Sequence, residues 1–148
     1  MLAAESAAPR CDRTAVPADL LSPGWADRLV DAGFDVTRPT AWLVEGLLVY
    51  LTAEEAAALL STVGELSAPG SRLALERGRS GNTVLDDPSI AHVTSLWKDG
   101  LGAGTADWLA DHGWHIENHP LDTVAAHYGR PMANASGTGF VTAVRATH

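Results

Sequence analysis

The sequence is poor in residues on which several common classes of protein depend. It has a single cysteine, Cys11, so no disulfide can form within the chain, and a reducing compartment fits better than secretion. Ten basic residues, of which Lys98 is the only lysine, stand against eighteen acidic ones, and the net charge is −8. Because such a surface repels a phosphate backbone, no nucleic acid is expected as a partner.

Long apolar runs and targeting signals are also missing. The start of the chain has no basic segment followed by an apolar one, and no stretch approaches the roughly 20 apolar residues of a membrane helix. We therefore expect a soluble, cytoplasmic protein with no membrane partner. A hydrophobic fraction of 46% in 148 residues is enough for one core, which predicts a single domain over residues 1–148.

Strand-like and helix-like segments alternate along the chain. The run Thr40 to Leu51 is apolar apart from Glu45, which predicts a strand that is buried on both faces. The T-x-x-E pattern of Thr52 and Glu55 predicts a capping box at the start of a helix, and Arg72 to Arg77 alternates as strands do. These segments together predict a β-α-β unit with parallel strands.

Less regular elements flank this unit. Arg13 to Leu20 is predicted as an edge strand or strand end, because Pro17 interrupts it, and Ser22 is placed to cap a following helix. The other elements are expected at Ile90 to Leu96, Thr105 to His112, Trp114 to Glu117, Pro120 to Tyr128 and Gly139 to Val144. Their alternation predicts an open α/β sheet.

Two clusters resemble familiar sites without matching them. His112, His115 and His119 have neither H-E-x-x-H spacing nor a neighbouring cysteine cluster, so no metal site is predicted. GLGAG at Gly100 to Gly104 follows no recognisable strand and opens no Walker or Rossmann pattern, so a plain turn is the simpler interpretation.

The most distinctive segment is PTAWLVEGLLVYL at Pro39 to Leu51. It resembles the P-T-x-W-x-x-E-G-L-x-x-Y-L signature of the bacterial leucine-carboxyl-methyltransferase-like family. Further segments resemble the family in the same order, namely VPADL at Val16 to Leu20, APGSRL at Ala68 to Leu73, HGW at His112 to Trp114 and YGRP at Tyr128 to Pro131. The resemblance covers nearly the whole chain. It implies the C-terminal half of a class I, Rossmann-like methyltransferase domain, an open sheet that lacks its first two strands.

The resemblance also implies a cofactor, S-adenosylmethionine, and a small-molecule substrate. By resemblance, Asp19 would accept a hydrogen bond from the adenine amino group, the main chain at Leu20 would lie against adenine, and Glu45 would face the methionine end. The family's glycine-rich turn and its ribose-binding carboxylate have no counterpart in this sequence. We therefore expect the chain alone not to bind the cofactor measurably.

Each candidate residue has a structural interpretation beside the functional one. Glu45 could be a strand-end carboxylate solvated by the next loop, and Asp19 could be a turn residue ahead of a helix. Tyr128 and Arg130 lie near a predicted helix C-terminus, where the helix dipole favours cations. By resemblance they lie near the substrate pocket, and with Glu45 they are the candidate catalytic residues, able to bind or polarise a substrate oxygen.

Three functions remain open from the sequence. The first is methyl transfer from S-adenosylmethionine to an oxygen nucleophile, in which the protein mainly positions the reactants. The second is a cofactor-free cyclase, isomerase or lyase of small-molecule biosynthesis, with Glu45, Tyr128 and Arg130 as acid-base groups. The third is a non-catalytic partner or a fragment.

The expected gap in the sheet predicts an oligomer. By resemblance, the two absent strands would lie beside the run Trp42 to Leu48, whose free edge is a template for pairing. Pro17 removes a ladder donor from Arg13 to Leu20, so that segment is poorly suited to close the edge. We expect a homodimer, since closed symmetry is common among soluble oligomers.

Overall fold

The computed structural model describes residues 10–77, 91–132 and 138–147. The chain divides into two compact units, one ending at Asp35 and the other beginning at Val36. The expectation of a single domain stays a prediction.

The first unit contains helix α1 (Trp25–Asp31). It begins after Gly24, which has a positive φ of 92°, and no side chain caps it. The prediction that Ser22 caps the helix is wrong, because the Ser22 hydroxyl donates to the Asp19 carboxylate instead, at 2.8 Å. The helix ends at Asp31, and the predicted stop, Gly33, follows with a φ of 100° and donates its N–H to the carbonyl oxygen of Val30.

The predicted edge strand over Arg13 to Leu20 is wrong. These residues form no strand in the structure. Pro17 has no N–H to give to a ladder, and the segment turns at its end, where the Leu21 N–H donates to Asp19. A β-branched composition is therefore not enough here, because a strand exists only where a neighbouring strand accepts its hydrogen bonds.

The second unit is built on four strands, β1 (Ala41–Val44), β2 (Arg72–Arg77), β3 (Trp114–Pro120) and β4 (Gly139–Arg145). Their order in the sheet is β1-β2-β4-β3. β1 and β2 are parallel, which confirms the predicted β-α-β unit. β4 runs antiparallel to both of its neighbours, β2 and β3.

The strand predicted over Thr40 to Leu51 is in the right place but too long. Only Ala41–Val44 pairs in the sheet. Gly46 then turns the chain with a φ of 63°, and Leu48–Tyr50 forms a 3-10 turn. An apolar run continues through both conformations, so its composition alone does not reveal where the strand ends.

Helix α2 (Ala53–Glu65) connects the two parallel strands and begins with the predicted capping box. The Glu55 N–H donates to Thr52 Oγ1 at 3.2 Å, and the Thr52 N–H donates to Glu55 Oε2 at 2.7 Å. This reciprocal pair satisfies two backbone donors that a helix start leaves free. The buried side of the helix carries Leu59, Leu60 and Val63, as its helical spacing predicts.

The described part of this unit also contains three shorter helices, α3 (Ala91–Thr94), α4 (Thr105–Asp111) and α5 (Leu121–His127). All three lie within the segments predicted from sequence, although Ile90 is outside the described residues. The strand predicted to end at Glu117 continues to Pro120, because β4 pairs with it along its full length. β4 likewise extends one residue beyond the predicted end at Val144.

The two faces of this sheet differ sharply in burial. One face carries the core residues Leu73, Leu75 and Val141, which are all less than 3% exposed. We call the opposite side the open face. One row across it is formed by the paired residues Leu43, Ala74, Thr142 and Glu117, and every second residue of each strand, counted from that row, lies on the same face. Leu43, on this face, is 73% exposed. Among the described residues, the core therefore lies on one side of the sheet only.

Candidate functional site

Three strands end at the same edge of the sheet, which we call the carboxyl edge. The parallel strands β1 and β2 end there at Val44 and Arg77. Because β4 is antiparallel to β2 and to β3, its first residue, Gly139, pairs with both Arg77 and Pro120, the last residue of β3. Ligands of open α/β sheets bind outside the carboxyl ends of the strands, so this edge is the candidate site.

Glu45 follows β1 directly and lies at the carboxyl edge. Its side chain is exposed, so it avoids the desolvation that a carboxylate inside an apolar strand would suffer. The sharp turn at Gly46 follows it, with a φ of 63°. A carboxylate in this position is free to contact a ligand, and it also fits the strand-end interpretation.

The structure adds a second carboxylate, Glu76, that the sequence analysis did not single out. It is the fifth residue of β2, is half-buried, and its Oε1 accepts the Gly46 N–H at 2.8 Å. This hydrogen bond joins the loop after β1 to the end of β2 and fixes the backbone beside Glu45. The only signal in the sequence was that Glu76 falls near the end of a predicted strand.

Asp19 organises the turn that precedes α1. Its carboxylate accepts the Leu21 N–H at 3.0 Å and the Ser22 hydroxyl at 2.8 Å. These hydrogen bonds, the backbone one first, lower the pKa of Asp19 below its ordinary value of 3.8. The side chain is exposed, and a carboxylate has about four acceptor positions, so it can accept a further donor. Leu20 beside it is half-buried.

Tyr128 and Arg130 lie just beyond the C-terminal end of α5, as predicted. Tyr128 is 75% exposed, and its ring meets the His127 ring edge-on at a centroid distance of 5.2 Å. The Arg130 N–H donates to the carbonyl oxygen of Ala125 at 2.8 Å. α5 begins at the carboxyl edge, directly after β3. Its seven residues span about 10 Å, so its C-terminal end lies about 10 Å from its start. The described contacts of both residues are local.

A hollow of about 520 Å³ lies on the open face and is lined by residues of all four strands. Its lining includes the charged residue Arg72 on β2 and three polar residues on β3. On the β3 side, His119 Nε2 lies 2.8 Å from Thr142 Oγ1 and 4.0 Å from Glu117 Oε2. None of the candidate residues Asp19, Leu20, Glu45, Tyr128 and Arg130 lines this hollow.

His112 and Gly100 make contacts that account for their positions in the fold. His112 Nδ1 lies 2.7 Å from the carbonyl oxygen of Trp108, and its ring stacks on the Trp108 ring. Gly100 packs so closely on Leu48 that a Cβ there would lie 2.6 Å from the Leu48 carbonyl oxygen. Among the described residues, no three or more His, Cys, Asp or Glu side chains are grouped so that they could hold a metal ion. No helix in the part of the chain that the structure describes is long and apolar enough to cross a membrane.

Sequence comparisons identify similar proteins. The profile of the family described as leucine carboxyl methyltransferase matches residues 1–64. A candidate S-adenosyl-L-methionine-dependent methyltransferase of Parafrankia sp. (strain EAN1pec) is 48% identical, and the match covers 99% of this chain and 49% of that protein. Another, from Frankia alni, is 40% identical across 100% of this chain and 54% of its own length. The chain thus spans about half the length of the curated relatives it matches.

A solved structure supports the fold. An O-methyltransferase family protein from Burkholderia thailandensis superposes with a TM-score of 0.51 and 16% identity, over 88% of this chain and 35% of that one. At this identity the likeness concerns the fold alone. It confirms the predicted architecture, part of a class I methyltransferase sheet.

Proposed function

We propose that this chain contributes to S-adenosylmethionine-dependent methylation of an oxygen atom on a small molecule. It belongs to the leucine-carboxyl-methyltransferase-like family and spans about half the length of the relatives it matches. One observation carries the proposal. Glu45, inside the family-like signature, is an exposed carboxylate at the carboxyl edge of the sheet. This is the edge at which open α/β sheets bind ligands.

The residues present fit part of a site for the cofactor, which when bound supplies an electrophilic methyl group. Asp19 has acceptor capacity left for an adenine amino group, because only one hydrogen bond to each carboxylate oxygen is described. Glu45 offers a negative charge to the cationic methionine end. The family's glycine turn, which brings a backbone close to the cofactor, has no counterpart in this sequence, so neither side chain has that backbone contact to support it.

The test is a chimera in which this chain replaces the matching half of the Parafrankia relative. We expect it to bind S-adenosylmethionine, with Glu45→Gln and Asp19→Asn each weakening binding at least tenfold, about 1.4 kcal/mol. Glu54→Gln is the matched control, an exposed carboxylate in the first turn of α2. Binding that both site substitutions leave intact would place the cofactor elsewhere.

The cofactor-free alternative has less support. General acid-base catalysis by Glu45, Tyr128 and Arg130 requires the three side chains to converge on one substrate. Tyr128 and Arg130 instead make local contacts at the end of α5. We therefore keep methyl transfer as the proposed function.

For the isolated chain we also propose a homodimer. β1 is the outer strand of the described sheet and pairs with β2 alone. No described strand lies on its other side, and an open strand edge is a template that a second copy of β1 can extend. No described strand at Arg13 to Leu20 competes for that edge.

A further inference from the structure

Two carboxylates occupy neighbouring positions in the register of the parallel strands β1 and β2. The ladder pairs Val44 with Leu75 and ends there, so the next pair in the same register would be Glu45 and Glu76. Like charges directly opposite each other destabilise a sheet. The pairing of the strands therefore stops at the point where its continuation would bring two carboxylates side by side.

Beyond this point the chain leaves the sheet through a turn that Glu76 holds. Gly46 has a φ of 63°, in the left-handed region that glycine adopts without strain. Its N–H lies beyond the end of the ladder and donates to Glu76 Oε1 at 2.8 Å. A hydrogen bond to an ionised carboxylate is about twice as strong as one between neutral groups. One carboxylate of the pair is thus engaged by the backbone of the turn.

The two carboxylates differ in what they can offer to a ligand. Glu76 is half-buried and accepts the Gly46 N–H, whereas Glu45 is exposed at the same edge. Glu45 directly precedes Gly46, so the direction of its side chain depends on the backbone angles of the turn. A side chain on a loop keeps one direction only where other groups hold the loop in place. The hydrogen bond from Gly46 to Glu76 is such a contact.

We propose that Glu76 is a positioning residue of the cofactor site, which acts through the Gly46 N–H to direct Glu45 at the cationic methionine end of S-adenosylmethionine. The inference rests on the proposed function for the identity of the ligand. Groups of a binding site have to be held within about 0.5 Å of their productive positions. Loss of the hydrogen bond therefore weakens the interaction that Glu45 makes with the ligand, although the Glu45 carboxylate is still present.

Two substitutions of Glu76 separate its hydrogen bond from its charge. Glu76→Ala removes the acceptor, whereas Glu76→Gln keeps an amide oxygen that can accept the Gly46 N–H. Glu65→Ala is the matched control, at the exposed last residue of α2, ahead of the start of β2. In the chimera with the Parafrankia relative, we expect Glu76→Ala to weaken S-adenosylmethionine binding roughly tenfold or more, since small misplacements of site groups are costly. Glu76→Gln should restore most of the affinity, and Glu65→Ala should leave it unchanged.

Combination with Glu45→Gln separates a positioning role from a merely structural one. If Glu76 acts through Glu45, Glu76→Ala has little further effect once Glu45→Gln is in place, so the two losses of affinity are not additive. Additive losses would overturn the proposal, because Glu76 would then act independently of Glu45. Equal losses in Glu76→Gln and Glu76→Ala would also overturn it, in favour of a direct contact between the Glu76 charge and the cofactor.

Hydrogen exchange of the Gly46 amide, followed by NMR in the 148-residue chain, tests the turn without any cofactor. We expect Glu76→Ala to speed this exchange roughly tenfold or more, because the hydrogen bond that protects the amide is lost. Glu76→Gln should exchange nearly as slowly as the parent, and the amides of β4 should stay protected in every variant, which shows that the fold is intact.

An unchanged Gly46 exchange rate in Glu76→Ala would overturn the proposal. A parent chimera that binds no S-adenosylmethionine would overturn the proposed function, and with it the ligand assigned to Glu45. A Gly46 amide that responds to Glu76→Ala would distinguish that failure from a failure of Glu76 to hold the turn.

Discussion

Two leucines on opposite faces of the sheet provide a quantitative test of the one-sided core. Leu73 is 1% exposed and Leu43 is 73% exposed. They lie on the neighbouring parallel strands β2 and β1, one row apart. Replacing each with alanine makes the same chemical change in two environments, so the difference in unfolding free energy reports burial.

The expected magnitudes follow from the exposed fractions. Leu73→Ala removes a buried side chain and should lower the free energy of unfolding by about 2–5 kcal/mol. Full burial of a leucine is worth about 1.5–3 kcal/mol, and Leu43 has about a quarter of its surface covered, so Leu43→Ala should cost roughly 0.5 kcal/mol. We therefore expect at least a fourfold difference between the two variants.

Urea denaturation followed by circular dichroism measures both values. With a slope of about 2 kcal/mol per molar urea, a 3 kcal/mol loss lowers the midpoint by about 1.5 M, and a 0.5 kcal/mol loss by about 0.25 M. The slopes should match between variants and parent, at a protein concentration where light scattering shows one species. If Leu43→Ala costs as much as Leu73→Ala, the open face is covered in the isolated chain and the account is refuted.

Three further predictions concern pH, backbone packing and assembly. Glu55 accepts a hydrogen bond from the Thr52 N–H and lies 3.3 Å from Lys98, and these contacts lower the pKa of Glu55 below 4.5. The stability that the Glu55 carboxylate contributes is therefore present above pH 4.5 and is lost as pH falls through its folded-state pKa. The melting-temperature difference between the parent and Glu55→Gln should shrink from pH 6 to pH 3, and a pH-independent difference would contradict this. Gly139→Ala should lower the free energy of unfolding, measured by urea denaturation, by about 1–3 kcal/mol, because a Cβ would collide with the His119 carbonyl oxygen. Gly104→Ala is the control and should lower it much less, because the space around Gly104 is open. Equal losses of unfolding free energy would disprove the collision. Light scattering of the isolated chain at low micromolar concentration should give a dimer, and a stable folded monomer of 15.5 kDa would rule that out.

Local signals in the sequence were sufficient for the central part of the fold. The capping box of Thr52 and Glu55 and the strand Arg72 to Arg77 were predicted with their correct bounds, since each depends on residues close in sequence. The strand at Arg13 to Leu20 failed because a strand requires a partner that composition cannot supply. The length of β1 was overestimated because its end depends on the backbone turn at Gly46.

The sequence named candidate residues for the site without revealing their geometry. The family-like signature marked Glu45, whereas its place directly after β1 depends on the turn at Gly46, which composition did not reveal. Glu76 was missed because its hydrogen bond to Gly46 joins residues 30 positions apart. The apolar composition of β1 predicted that both of its faces are buried, whereas only the face that carries Val44 is buried among the described residues.

Titration with S-adenosylmethionine tests the central claim most directly. The central claim is that Glu45, at the carboxyl edge of the sheet, contacts the cofactor, and that the residues which complete the site are found in the longer relatives. Calorimetry should therefore show no measurable binding to the isolated 148-residue chain, and binding to the chimera that Glu45→Gln weakens. A clean micromolar isotherm for the isolated chain would contradict the claim.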